Sequence, residues 1–219
     1  CRIICVDVAH GDHKKCHDMV LHIAKKYPQI LLIAGNVATA DGCRRLQAYG
    51  ADVVKVGVGP GSLCSTRIQT GNGVPQLTAL MNCFSLPNRP KIIADGGIKN
   101  SGDCVKALCF SDMVMIGSLL AGTDEAPGTL VRGTNGEMYK EYAGSSTHKT
   151  SHIEGVKTLT PTKGPAQLVL SSLLDGILSG FSYQGARNLT QLQIDPEFVR
   201  ITSAGLNESH PHHPSYRNL

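Results

Sequence analysis

Asp52-Val53-Val54-Lys55-Val56-Gly57-Val58-Gly59-Pro60-Gly61-Ser62-Leu63-Cys64-Ser65-Thr66-Arg67 runs from an apolar, β-branched segment straight into a glycine-rich loop that contains a cysteine. Residues 52–56 have the composition of a buried strand. Glycines at 57, 59 and 61, with Pro60 among them, let the backbone turn sharply and approach a bound group. In alternating β/α chains, the loops leaving the C-terminal ends of strands carry the chemistry. A thiol there, backed by Ser65, Thr66 and Arg67, reads as a nucleophile facing a small-molecule site. On these residues alone the plainer alternative stays open, that Cys64 is one more inert buried thiol.

Outward from this loop, the same alternation repeats. Strand-like runs occupy residues 2–6, 30–34, 91–94 and 113–116. Between them lie amphipathic segments: Cys16, Met19, Val20, Ile23 and Tyr27 form a helical stripe, and residues 41–49, 75–83 and 101–109 are helical by the same pattern. Helices between strands indicate βαβ units and a parallel sheet. Each strand ends in a small or polar cluster, namely Asp7-Val8-Ala9-His10-Gly11, Gly35-Asn36-Val37, Gly57 onward, Asp95-Gly96-Gly97 and Gly117-Ser118. A shared rim at the strand C-termini is what a TIM (β/α)8 barrel predicts. Such a barrel has eight strands and only the last five βα units are readable, so the first three are expected outside this chain. A flavodoxin-like five-stranded sheet is the competing arrangement.

Beyond the fifth strand, residues 130–142 with Gly133-Thr134-Asn135-Gly136 read as a β-hairpin. Residues 144–160, with His148, Lys149 and His152, read as an irregular active-site flap, the hairpin and flap together spanning about 129–162. Ala166, Val169, Leu170, Leu173, Leu174, Ile177 and Leu178 predict a core-facing helix. The barrel part ends near residue 200, and residues 201–219, with His210, His212 and His213, read as a disordered, solvated tail.

The bulk numbers narrow the function. With 41% hydrophobic residues in 219, the chain supports one sizeable core. No apolar run reaches the ~18 residues of a membrane span, and without a signal peptide the expected location is cytoplasmic. A net charge of +4 with scattered lysines and arginines, and no tryptophan, gives no nucleic-acid surface. It suits a small anionic ligand. The eight cysteines include no C-x-x-C pair, so zinc-ribbon and thioredoxin motifs have no support. All eight are expected as reduced thiols, with Cys5, Cys16, Cys43 and Cys104 in apolar patterns. Asp95-Gly96-Gly97 and Gly117-Ser118 can bind a phosphate through backbone N–H groups and the Ser118 hydroxyl, or can simply be tight βα turns. Asp7 and His10 fit a salt-linked strand end as well as a functional pair.

Taken together, Gly57 to Arg67, Thr70-Gly71-x-Gly73-x-Pro75-Gln76, Ala94-Asp95-Gly96-Gly97-Ile98 and Gly117-Ser118-Leu119-Leu120-Ala121-Gly122-Thr123 resemble the IMP dehydrogenase/GMP reductase family. The resemblance runs from the first strand to about Leu189. It implies a TIM barrel whose fourth strand is residues 2–6, a thiol (Cys64) that attacks carbon 2 of a purine monophosphate, and a homotetramer. It also implies substrate contacts from Ser62, Asp95 (to the ribose), Gly96, Gly97, Gly117, Ser118, Tyr142, Gly144 and Ser145, with Asp7 and Asn36 on the cofactor side. Backbone carbonyls of Gly59, Gly61 and Cys64 would hold a monovalent cation such as K+.

The dehydrogenases of this family share a long flap with an Arg-Tyr pair that activates water. Here only a short stretch separates Gly144-Ser145-Ser146 from Ile153-Glu154-Gly155, with no Arg-Tyr pair. That is similar to GMP reductase, in which a glutamate and a hydroxyl, here Glu154 and Thr66, act on the departing amine. The resemblance thus implies NADPH-dependent conversion of GMP to IMP and ammonia. IMP oxidation with NAD and a non-catalytic purine-nucleotide-binding barrel are the competing readings. The loop and Thr123-Asp124-Glu125-Ala126-Pro127-Gly128 are more dehydrogenase-like than in animal reductases. Arg217-Asn218-Leu219 weakly resembles a peroxisome-type address.

Overall fold

The structure is a computed structural model that describes residues 1–134, 136–144 and 157–211. Five strands, β1 (Ile3–Asp7), β2 (Leu31–Val37), β3 (Val53–Val56), β4 (Lys91–Asp95) and β5 (Met113–Met115), form one parallel sheet in the order β1-β2-β3-β4-β5. Every neighbour in the sheet is the next strand in sequence. A flavodoxin-like sheet would carry the order 2-1-3-4-5, so that alternative is corrected: the chain winds in one direction, as a barrel wall does.

Between the strands lie α1 (Lys14–Lys26), α2 (Ala40–Ala48), α3 (Thr66–Thr70), α4 (Gln76–Phe84) and α5 (Ser101–Leu108). Side-chain caps fix three of these starts: His13 accepts from Lys15 N, Thr39 from Gly42 N and Asn100 from Asp103 N. Alternation divides each strand. Ile4, Val6, Leu32, Ala34, Val54, Val56, Ile92, Ala94 and Val114 pack with the helices in the core. The other face carries Asp7, Gly35 and Lys55, which are level with one another in register. Cys5 lies on that second face and is exposed, contrary to the expectation of a buried position.

The helix stripes are partly corrected. On α1 the buried set is Cys16, His17, Val20 and Ile23, while Met19 is half exposed and Tyr27 is the C-cap. His17 takes the place of Met19 by stacking on Tyr49, with ring centroids 4.6 Å apart. On α6 (Ala166–Tyr183), Leu173 and Ile177 pack on the core, but Leu170, Leu174 and Leu178 are exposed. This helix packs on α5, where Gly176 and Gly180 meet Ser101 and Val105, and its apolar face is wider than that contact.

The expected hairpin is present as β6 (Leu130–Arg132) and β7 (Met138–Ala143). Residues 157–160, expected to be irregular, belong to a third strand, β8 (Lys157–Pro161), antiparallel to β7 with Ala143 opposite Lys157. Its residues, Lys157-Thr158-Leu159-Thr160-Pro161, show little apolar alternation, and pairing to the edge of β7 makes the strand. After α7 (Leu189–Leu192), the described part of the expected tail contains a short helix, α8 (Ser203–Glu208), which Thr202 caps at Gly205 N. Phe198 packs on Phe110 with centroids 5.3 Å apart, which ties the intervening segment to the core. No helix among the described residues is long and apolar enough to cross a membrane.

Candidate active site

The strand ends deliver their polar residues to one cavity of about 630 Å³, lined by Asp7, Asn36, Gly57, Gly59, Gly61, Cys64, Thr66, Asp95, Gly96 and Gly144 among others. Nine of these, read from sequence as the clusters that follow the strands, therefore meet around one space, joined by Gly144. Cys64 is only partly buried, whereas Cys16, Cys43, Cys83, Cys104 and Cys109 are buried. Burial pushes the Cys16, Cys104 and Cys109 thiols up, which keeps them protonated and inert. The Cys64 thiol lies 3.1 Å from Thr66 Oγ1 and donates to it. A turn holds it there, with Cys64 N–H donating to the Gly61 carbonyl at 3.0 Å.

Close backbone approach explains the glycines. Gly57 has φ +151°, and a Cβ there would fall 2.1 Å from the Asp95 carbonyl oxygen. Only glycine lets the cysteine loop lie against the end of β4. Arg67, read from sequence as part of the chemistry, is instead a brace: Nε donates to Val58 O at 3.1 Å and Nη2 to Val74 O at 2.6 Å. Gln76 ties the same region together, donating from Nε2 to Val56 O at 2.8 Å.

The electrostatic centre is Lys55, whose side chain is 3% exposed. Its ammonium lies 2.8 Å from Asp7 Oδ2 and 3.0 Å from Asp95 Oδ2. Burial pulls its pKa down, but the hydrogen bonds and charges of the two carboxylates outweigh that and leave it above the ordinary lysine value. Asn36 donates from Nδ2 to Asp95 Oδ2 at 2.9 Å and to Gly57 O at 2.8 Å, while its buried Oδ1 has no partner among the described residues. Asp95 is thus oriented from two sides. Sequence reading missed Lys55, although a lysine inside an otherwise apolar strand was the available signal.

Gly97 lies beside Pro60 of the cysteine loop. Gly117 faces the Tyr142 hydroxyl, which would lie 3.6 Å from a Cβ at that position. Gly117, Ser118 and Tyr142 do not line the cavity around Cys64, but Gly144, next along the chain from β7, does. Ser62 is exposed on the loop. Ser145, Glu154, His148, Lys149, His152 and the C-terminal tripeptide lie outside the described residues.

A second cavity, about 590 Å³, adjoins the first through Ala9, Val58 and Thr66 and is lined by His10, Asp12, Thr39, Thr70 and Asn72. The carbonyls of Gly59 and Cys64 accept no backbone hydrogen bond among the described residues, and that of Gly61 accepts one. These hard oxygen donors suit a monovalent cation.

Comparison with known proteins agrees with this arrangement. Residues 1–212 match the IMP dehydrogenase / GMP reductase domain. The chain is 45% identical to inosine-5'-monophosphate dehydrogenase of Chlorobaculum parvum, over 96% of this chain and 47% of the relative. It is 42% identical to the enzyme of that name from Nitrosopumilus maritimus, over 96% and 49% respectively. The chain thus spans about half the length of the curated relatives it matches. A GMP reductase variant from Trypanosoma brucei, solved in complex with guanosine 5'-monophosphate, superposes with a TM-score of 0.91 at 38% identity, covering 97% of this chain and 47% of that one. A parallel sheet wound in one direction, a glycine loop presenting a thiol and a match along nearly the whole chain have one common explanation: the chain belongs to the IMP dehydrogenase / GMP reductase family.

Proposed function

We propose that the protein is a GMP reductase, converting GMP to IMP and ammonia through a covalent bond between Cys64 and carbon 2 of the purine. One observation carries the direction. Ala143 and Lys157 are directly paired, so residues 144–156 are all that connects β7 to β8. That stretch has no Arg-Tyr pair. Without a water-activating device, a covalent purine intermediate is better suited to reduction than to hydrolysis.

In this mechanism the Cys64 sulfur, as thiolate, adds to carbon 2 of GMP. The 2-amino group takes up a proton, relayed by Thr66 with Glu154, and leaves as ammonia. Thr66 is suited to that relay by its 3.1 Å contact with Cys64. Bound NADPH would supply a hydride for carbon 2, and the Cys64 sulfur would then leave as thiolate, breaking the C–S bond and releasing IMP. Asp95 would hold the ribose hydroxyls, and Gly96, Gly97, Gly117 and Ser118 the phosphate, with Ser62, Tyr142, Gly144 and Ser145 completing the substrate contacts.

Asp7 and Asn36 would face the cofactor, and the orphaned Asn36 Oδ1 and the adjoining second cavity are consistent with an extended polar ligand. Gly59, Gly61 and Cys64 carbonyls would hold K+, stiffening the turn that carries the thiol. The same reading includes three further βα units closing the barrel, a homotetramer and a cytoplasmic location.

IMP dehydrogenase is the second reading, favoured by the names of the curated relatives. The test is mass spectrometry of full-length protein quenched during turnover. With GMP and NADPH, the peptide containing Cys64 should gain the mass of GMP less ammonia, and Cys64→Ala should lose both adduct and turnover. Turnover that persists in Cys64→Ala would overturn the mechanism.

A further inference from the structure

The segment after β5 is held by two lysines that the reaction does not use. Lys163, just after β8, donates from Nζ to the carbonyls of Ser118 and Leu119, both at 3.0 Å. Lys140, on β7 and 7% exposed, donates to Thr123 O at 2.7 Å, Asp124 O at 3.3 Å and Ala126 O at 2.8 Å. Backbone bonds join the same two stretches: Lys163 N to Gly122 O and Asp124 N to Gly164 O, each 2.9 Å. Gly122 has φ +86°, and a Cβ there would lie 2.3 Å from Pro161 O, so the contact is tight enough to demand glycine.

The consequence follows from peptide geometry. In a trans peptide the carbonyl and the N–H of one plane point in opposite directions. An ammonium on the Ser118 carbonyl therefore fixes the Leu119 N–H on the far edge of the turn. That N–H has no hydrogen-bond acceptor among the described residues, whereas the next one, Leu120 N–H, returns to Gly117 O at 2.9 Å. A charge-assisted bond on the carbonyl also polarises the peptide and strengthens its N–H as a donor.

We propose that Lys163 is a positioning residue for the nucleotide phosphate: by clamping the Ser118 and Leu119 carbonyls it presents the opposite edge of this turn to the phosphate. The inference rests on the reading of Gly117-Ser118 as the phosphate turn. It adds a residue that touches no reacting atom and lies far along the chain from that turn. Lys140 holds the more distant 123–126 part of the segment and serves as the structural comparison.

The test uses the full-length protein and calorimetric titration with GMP and with guanosine, which differ by the phosphate. Lys163→Met should weaken GMP binding about tenfold, the order of one hydrogen bond to a charged group. It should leave guanosine binding unchanged, and Lys163→Arg should restore most of the loss. In turnover the loss should appear in KM with kcat kept within about twofold. An unchanged GMP-to-guanosine affinity ratio in Lys163→Met, or an equal loss for both ligands, would overturn the inference. Wild-type protein that binds GMP no better than guanosine would instead overturn the phosphate-turn reading beneath it.

Discussion

Replacing Lys55 with methionine keeps most of the side-chain volume and removes the charge between Asp7 and Asp95. The lysine side chain is 3% exposed and its ammonium lies within 3.0 Å of both carboxylates. Removing one partner of a buried ion pair costs about 3–5 kcal/mol. That figure needs a discount here, because the Asp7 side chain is 59% exposed and rehydrates, while Asp95 at 23% keeps its Asn36 hydrogen bond. The expected loss is then about 2 kcal/mol, or roughly 4–8 °C in Tm for a domain of this size. The pH dependence has a definite sign. Lys55 is held above its ordinary value of 10.5, so its contribution is complete below that pH and disappears as pH rises through the higher native value. Denaturant titrations of wild type and Lys55→Met at neutral pH and in steps above pH 10.5 would read both effects. A variant as stable as wild type at neutral pH, or a stability gap that persists undiminished at high pH, would refute the assignment of Lys55 as the shared counter-ion.

Gly57→Ala should abolish nucleotide binding in calorimetry while the fold persists by circular dichroism, because the added methyl meets the Asp95 carbonyl and φ +151° is strained for alanine. Thr66→Val should lower kcat by about 10²-fold or more while the Cys64 thiol still reacts with a small alkylating agent. At Asp112, burial raises the pKa but Arg89, Ile92 N–H and Lys91 outweigh it and hold the carboxyl below its usual range. Its contribution is therefore present above about pH 4 and lost as pH falls through the native value, so Asp112→Asn should cost about 2–3 kcal/mol near pH 7 and much less in acid.

The strand ends were legible because each has two signals, an apolar β-branched run and an abrupt change to glycine or a polar residue. Residues 52–61 illustrate this, and β3 and its loop fall where the composition placed them. What was not legible depends on pairing across the chain. Lys157–Pro161 becomes a strand only because β7 offers it an edge, and the sequence from Lys157 to Pro161 has little apolar alternation of its own. The exposed half of the α6 stripe shows the converse, since periodicity reports an apolar face and not what covers it. At the site, Cys64 and Thr66 were readable from their loop. Lys55, Arg67 and Gln76 acquire their roles from partners on other strands and turns, at separations that local patterns do not encode.

The direction of the chemistry at Cys64 separates a reductase from a dehydrogenase. Steady-state assays of the full-length protein with GMP and NADPH, run beside assays with IMP and NAD, test it directly. NADPH consumption with equimolar IMP and ammonia is expected in the first, and no appreciable NADH in the second. NADH formation from IMP, with no NADPH consumed in the presence of GMP, would contradict the reductase reading.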